Sequence, residues 1–234
     1  MRYFPVIVLL LMLTGCATRP TATVLMAAEA GVSAPDSVGG QPGNPFATAF
    51  LELLRDRELT LHDFVPRLRD RTKEVSGGLL SPEVAQSAAG GPVRLAAPKP
   101  GEVRVALVII HSRYTDGWSP LDGAAHDAKR VTEGLQEAGF ETALLLDPSR
   151  AEREAALRGF QEKSRRSDVA ILYTTGHGVM SGETAFLLDS DFAKGWRDER
   201  LAEHAIPIAE MTKALRARKA NLMLFGGCRT YEWW

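Results

Sequence analysis

The chain has 234 residues, with 28 Lys and Arg against 29 Asp and Glu, for a formal net charge of −1. That length fits one domain, or one domain with a small appendage. Its 45% hydrophobic and 24% charged residues exclude a mainly disordered chain. Balanced charge gives no reason to expect nucleic acid as a partner. Two cysteines, Cys16 and Cys228, exclude a disulfide-stapled scaffold and a multi-cysteine zinc site.

Arg2 supplies a basic start, and residues 6–13 form an apolar run shorter than the ~20 residues of a membrane span. The tetrapeptide Leu13-Thr14-Gly15-Cys16 that follows resembles the bacterial lipoprotein signal motif. The resemblance implies that residues 1–15 are a signal peptide, that cleavage precedes Cys16, and that its sulfur is acylated. Several acyl chains, at about 0.8 kcal/mol per buried methylene, hold a protein firmly to a bilayer. Ala17 rather than Asp after the cysteine points, by the same resemblance, to the outer membrane facing the periplasm. Cys228 then has no intramolecular partner and stands as a lone thiol outside the cytoplasm.

Residues 22–27 (ATVLMA) read as a short buried strand and residues 30–43, rich in Gly, Ser and Pro, as a loop. Asn44-Pro45 is a helix start, a cap followed by proline at the first helical position, and Phe46, Phe50, Leu53 and Leu54 share one face. A second helix opens at Thr60 with Asp63 as a capping-box variant and ends at Gly77-Gly78; Pro66 is expected to kink it or delay its start. Residues 88–102 read as a linker.

From Val103 strands and helices alternate. Residues 105–110 are a continuous apolar run of the kind buried on both faces of a parallel sheet, residues 142–146 read as the next strand, 169–173 as a buried strand and 222–225 as the last. Between them lie helices over 122–138, over 150–163 behind the Ser149/Glu152 capping box, and around Ile208, Met211 and Leu215, with a hairpin expected around 186–192. Such units imply a parallel sheet with helices on both faces.

Ligands of open parallel sheets bind at the carboxyl ends of the strands. His177 and Cys228 each follow a predicted strand beside glycines, which permit sharp turns and close approach. A histidine near a cysteine takes its proton and yields a thiolate that attacks carbonyl carbon. The backbone N–H groups of Gly178 and Cys228 are candidates for stabilising the oxyanion that forms. A turn histidine and a buried structural cysteine are the other reading of the same residues.

Residues 105–228 resemble the large-subunit half of the caspase fold, as found in metacaspases and bacterial caspase-like peptidases. The matching pieces, in order, are residues 106–114 (ALVIIHSRY), Ala125-His126-Asp127-Ala128, Gly139-Phe140, residues 173–178 (YTTGHG) and residues 222–229 (LMLFGGCR). The 51-residue interval between His177 and Cys228 suits the roughly 50 expected of caspases. Residues 22–95 resemble the small-subunit half, so the chain reads as a circularly permuted caspase domain. The competing account is a remnant of one domain followed by a truncated second copy.

The resemblance implies a three-layer αβα sandwich with a mostly parallel sheet. Residues 16–102 would form the small-subunit-like half plus linker, and residues 103–234 the large-subunit-like half. It implies a cysteine endopeptidase with Cys228 as nucleophile and His177 as general base, needing no cofactor or metal and acting on peptide or protein substrates. Metacaspases place one Asp on the first helix and another two residues before the cysteine, in a pocket for Arg or Lys; Asp127 matches the first, whereas Gly226 replaces the second. That departure leaves open a catalytically inactive module that binds peptides or partner proteins at the membrane. His111 and His126 lack a recognised metal-ligand spacing with His177, and His62 and His204 read as surface residues.

Overall fold

The computed structural model describes residues 20–40, 42–86, 93–115 and 117–231. The expected signal peptide, Cys16 and part of the linker lie outside them. The described chain runs β1 (Thr23–Met26), α1 (Pro45–Leu53), α2 (Leu61–Val75), β2 (Glu83–Gln86), β3 (Arg104–Ile110), α3 (Asp122–Glu137), β4 (Glu141–Leu146) and α4 (Arg150–Arg165). It continues with β5 (Val169–Thr175), β6 (Gly178–Ser181), β7 (Thr184–Leu188), α5 (Leu201–His204), β8 (Ala205–Pro207), α6 (Ile208–Met211) and β9 (Ala220–Phe225).

Six strands form one sheet in the order β2-β1-β9-β5-β3-β4, parallel except for β2. Every residue of β1, β3, β5 and β9 is buried, the apolar runs and the polar residues near their ends (Thr23, Arg104, Thr174, Thr175 and Asn221) alike. Side chains alternate between two faces. Leu25, Ala106, Val108, Ile171, Tyr173 and Leu224 pack under α1, α2 and α3 with Phe46, Phe50, Phe64 and Val131. Val24, Met26, Leu107, Ile109, Leu172 and Met223 pack under α4 and α6 with Phe160 and Met211. The result is a three-layer αβα sandwich with a mostly parallel sheet.

Thr23 to Met26 pair in parallel register with Leu222 to Phe225, so the N-terminal strand is the immediate neighbour of the strand that leads to Cys228. Local chemistry explains the boundaries. The Asn44 side chain accepts the Phe46 N–H at 2.8 Å with Pro45 in the first turn, and the Ser149/Glu152 capping box is complete. Thr60 caps α2 at Leu61, so Pro66 sits inside the helix rather than delaying it. Gly77 and Gly78, with φ of 63° and 86°, end that helix in a conformation only glycine adopts freely.

Two expectations need correction. The hairpin turns earlier than its apolar residues suggest, because Gly182 at φ 56° joins β6 to β7. The helix near Ile208 is a single turn, followed by a 3₁₀ turn over Thr212–Ala214. Edge strand β2 carries no sequence signal: only four residues long, it has two exposed and two half-buried positions and no apolar run.

Candidate active site

Strands β5, β9 and β1 lie side by side and end at one edge. Past β5 comes His177; past β9 comes Cys228; past β1 the chain runs beside the cysteine turn, where Arg229 N–H donates to Val32 O at 3.0 Å and Gly31 N–H to Arg229 O at 2.7 Å. A side chain on Gly178 would collide with the Cys228 carbonyl oxygen, and one on Gly227 would place its Cβ 2.6 Å from Gly176 O. Glycine thus lets the two turns touch. A cleft of about 360 Å³ is lined by both His177 and Cys228, with Gly178, Gly226, Asp36 and Trp118 among its walls.

His177 is gripped on three sides. Its backbone N–H donates to the Tyr114 hydroxyl at 2.8 Å, and that hydroxyl donates to Leu188 O at 3.3 Å. Its ring lies 4.5 Å from the Tyr114 ring at 62° and 4.5 Å from the Trp118 ring at 36°. Nε2 is 2.9 Å from Ser119 O; a carbonyl only accepts, so Nε2 carries the hydrogen and the neutral ring keeps Nδ1 bare. Burial lowers the His177 pKa below its ordinary 6.5, which favours the neutral, basic form. Replacing Tyr114 by Phe leaves the His177 N–H without its acceptor. The expected cost is about 1–3 kcal/mol in thermal or denaturant unfolding.

The Cys228 thiol is free and half-buried. Its sulfur receives the Ala34 N–H at 3.2 Å and lies 3.4 Å from Ala34 O and from Ser33 Oγ. A backbone N–H directed at sulfur stabilises charge developing there. Residues 33–36 therefore belong to the site, although as a Gly/Ser/Pro-rich loop they carried no sequence signal.

Asp127 is fully buried, away from the cleft wall. One carboxylate oxygen accepts the Asn44 N–H at 2.7 Å and the other pairs with Arg130 at 2.8 Å, while burial raises its pKa to about 7. It reaches the cleft only through Asn44, whose Nδ2 donates at 3.2 Å to both Pro35 O and Gly226 O. The acidic side chain on the cleft is Asp36, which sequence reasoning passed over. Its two oxygens accept the Gly123 and Ala124 N–H groups at 2.6 and 2.7 Å, capping α3, whose own cap residue Leu121 makes no side-chain bond.

His111 is buried and bonded to Ser190 Oγ at 2.9 Å, whereas His126 is exposed, so they do not converge with His177. Among the described residues no group of three or more His, Cys, Asp or Glu is placed to hold a metal. His62 is exposed, but His204 is half-buried, with its ring 4.6 Å from Trp196 and Nδ1 3.0 Å from Asp191.

A family profile for the caspase domain matches residues 103–232, more than half of the chain. The protein belongs to the caspase domain family and is a caspase-like cysteine peptidase by family. No curated protein matches the sequence.

Proposed function

We propose that the chain is an endopeptidase in which Cys228 and His177 form the catalytic dyad. The observation that carries this reading is the shared cleft, in which His177 has Nε2 occupied by Ser119 O and Nδ1 bare while Cys228 receives a backbone N–H. The thiol proton passes to Nδ1, and the thiolate attacks the scissile carbonyl carbon. The Gly178 and Cys228 N–H groups receive the oxyanion. Its collapse breaks the C–N bond, His177 returns the proton to the leaving amine, and a thioester remains. Water, deprotonated by His177, then releases the acid and the thiol. A peptidyl electrophile should label Cys228 in purified protein and fail on His177→Ala; indifference to both would favour a peptide-binding module. Because the base acts neutral and burial lowers its pKa, the acid limb of kcat/KM is expected below pH 6.5, and a limb above that value contradicts the assignment.

Preference for Arg or Lys before the cleaved bond is part of the reading; Asp36 lines the cleft while its oxygens hold the Gly123 and Ala124 N–H groups, whereas Asp127 lies behind the wall and is paired with the Arg130 cation. Asp36→Ala is expected to lower the kcat/KM ratio of Arg-ending over neutral peptides by roughly 10–100-fold, in line with loss of one charge-assisted contact. An unchanged ratio would remove Asp36 from recognition. Circular permutation is supported by β1 and β2 lying at the sheet edge beyond the cysteine strand. Acylation of Cys16 and anchoring in the bacterial envelope rest on the motif Leu13-Thr14-Gly15-Cys16.

A further inference from the structure

The parallel sheet polarises the molecule. His177 and Cys228 follow the carboxyl ends of β5 and β9, while the segments preceding β1, β3, β5 and β9 gather at the opposite end. Asn221, near the start of β9, donates from Nδ2 to Pro20 O at 2.9 Å, so the chain enters the fold at that opposite end.

Around this entry Arg166, Arg216, Arg218 and Lys219 are exposed, and Lys99 and Val103 add an exposed cation and an exposed apolar side chain before β3. The carboxylates among them, Glu102 and Asp168, are only 5% and 10% exposed and already engaged. Glu102 pairs with Arg104 at 2.7 Å; Asp168 accepts the Val103 N–H at 3.0 Å and faces Arg218 and Lys219 at 3.3 Å each. Glu137 and Glu141 lie at the far β4 edge, with Glu141 paired to Lys163. A chain whose net charge is −1 thus keeps a cationic excess on one end.

We propose that this basic end is a docking face for an anionic phospholipid surface, with the catalytic cleft directed away from the bilayer. The inference rests on the anchoring reading for its geometry. Three residues separate Cys16 from Pro20, so the four Cα–Cα steps reach at most roughly 14 Å when extended. That is under two Debye lengths of about 8 Å, close enough for Arg216, Arg218 and Lys219 to feel anionic headgroups. The six residues of β9 stand between this face and Cys228, a separation of roughly 20 Å. The enzyme therefore takes peptides from the aqueous side rather than membrane-proximal stems.

The test uses the mature chain carrying Cys16→Ala, so that no acyl chain contributes. Flotation with phosphatidylglycerol-containing vesicles at low salt should exceed that with phosphatidylcholine alone by about tenfold or more and fall with added salt. The double variant Arg166→Glu, Arg216→Glu, both exposed and outside the cleft, should lower binding by about tenfold or more at unchanged melting temperature and turnover. Equal binding to neutral vesicles, absence of binding, or retention of a DNA duplex in preference to vesicles overturns the proposal. Mass spectrometry of the parent protein reads Cys16 acylation separately, and turnover reads the peptidase, so failure of this face leaves those readings to stand or fall alone.

Discussion

Cys228→Ala is expected to abolish peptide hydrolysis, with kcat falling by at least about 10⁴-fold, because no other group in the cleft forms the thioester. His177→Ala should cost a comparable factor, and the double variant little more, since nucleophile and base act as one unit. Binding of a peptide ligand that carries no electrophilic group should persist in His177→Ala although turnover does not. In caspases, cutting the linker between the cysteine strand and the next strand frees the active-site loops. Here β1 pairs directly with β9 in the described chain. The parent protein is therefore expected to turn over Arg- or Lys-ending peptides as an intact chain. Mass spectrometry alongside the assay decides this: activity that emerges only after an internal cut refutes it.

The second large effect concerns stability. Asp127 has a folded pKa raised from 3.8 to about 7, chiefly by burial and only partly offset by the Asn44 N–H and Arg130. A raised carboxyl contributes stability that is fully present below the unfolded pKa and is lost as pH climbs through the folded one. Ionising it in place costs about 4 kcal/mol. Asp127→Asn keeps an acceptor for Asn44 and has nothing to ionise. Its stability relative to the parent should therefore rise by roughly 2–3 kcal/mol between pH 5 and pH 8, read by denaturant unfolding at both. A difference that does not change with pH would show an ordinary carboxyl. A loss of Arg discrimination in Asp127→Asn as large as in Asp36→Ala would instead restore the substrate-binding role that its helix position suggested.

What was legible in the sequence was whatever depends on local chemistry. Asn44-Pro45, Thr60 and Ser149/Glu152 declare helix starts because their side chains satisfy N–H groups two or three residues away. The runs ending at Ile110, Tyr173 and Phe225 declare central strands because both faces must be apolar. Strand β2 was illegible because an edge strand of four residues has no buried face to pattern. Within the site, His177 and Cys228 were legible from their place after buried strands. Asp36 was not: it caps α3 from 87 residues away, a pairing that exists only once β1 is seated beside β9. Asp127 is the converse case: its position on α3 is local, but its partner Asn44 is 83 residues distant.

Buried Arg104 ties the start of β3 to the preceding segment, donating to Leu95 O at 2.6 Å, Arg94 O at 2.5 Å and Glu102 at 2.7 Å, with its guanidinium 5.4 Å from the Phe140 ring. A protease that severs the chain between Gln86 and Val93 therefore leaves the downstream flank of the cut fastened to the sheet. The upstream fragment is no easier to shed, because β1 is wedged between β2 and β9 and Phe50 of α1 stacks 6.1 Å from Tyr173 of β5. A nick there turns one polypeptide into a non-covalent heterodimer with its cleft shared between the pieces: Asp36, Asn44 and the Ala34 N–H come from one, His177 and Cys228 from the other. The two halves are thus natural candidates for a split enzyme, silent apart and reconstituted on mixing.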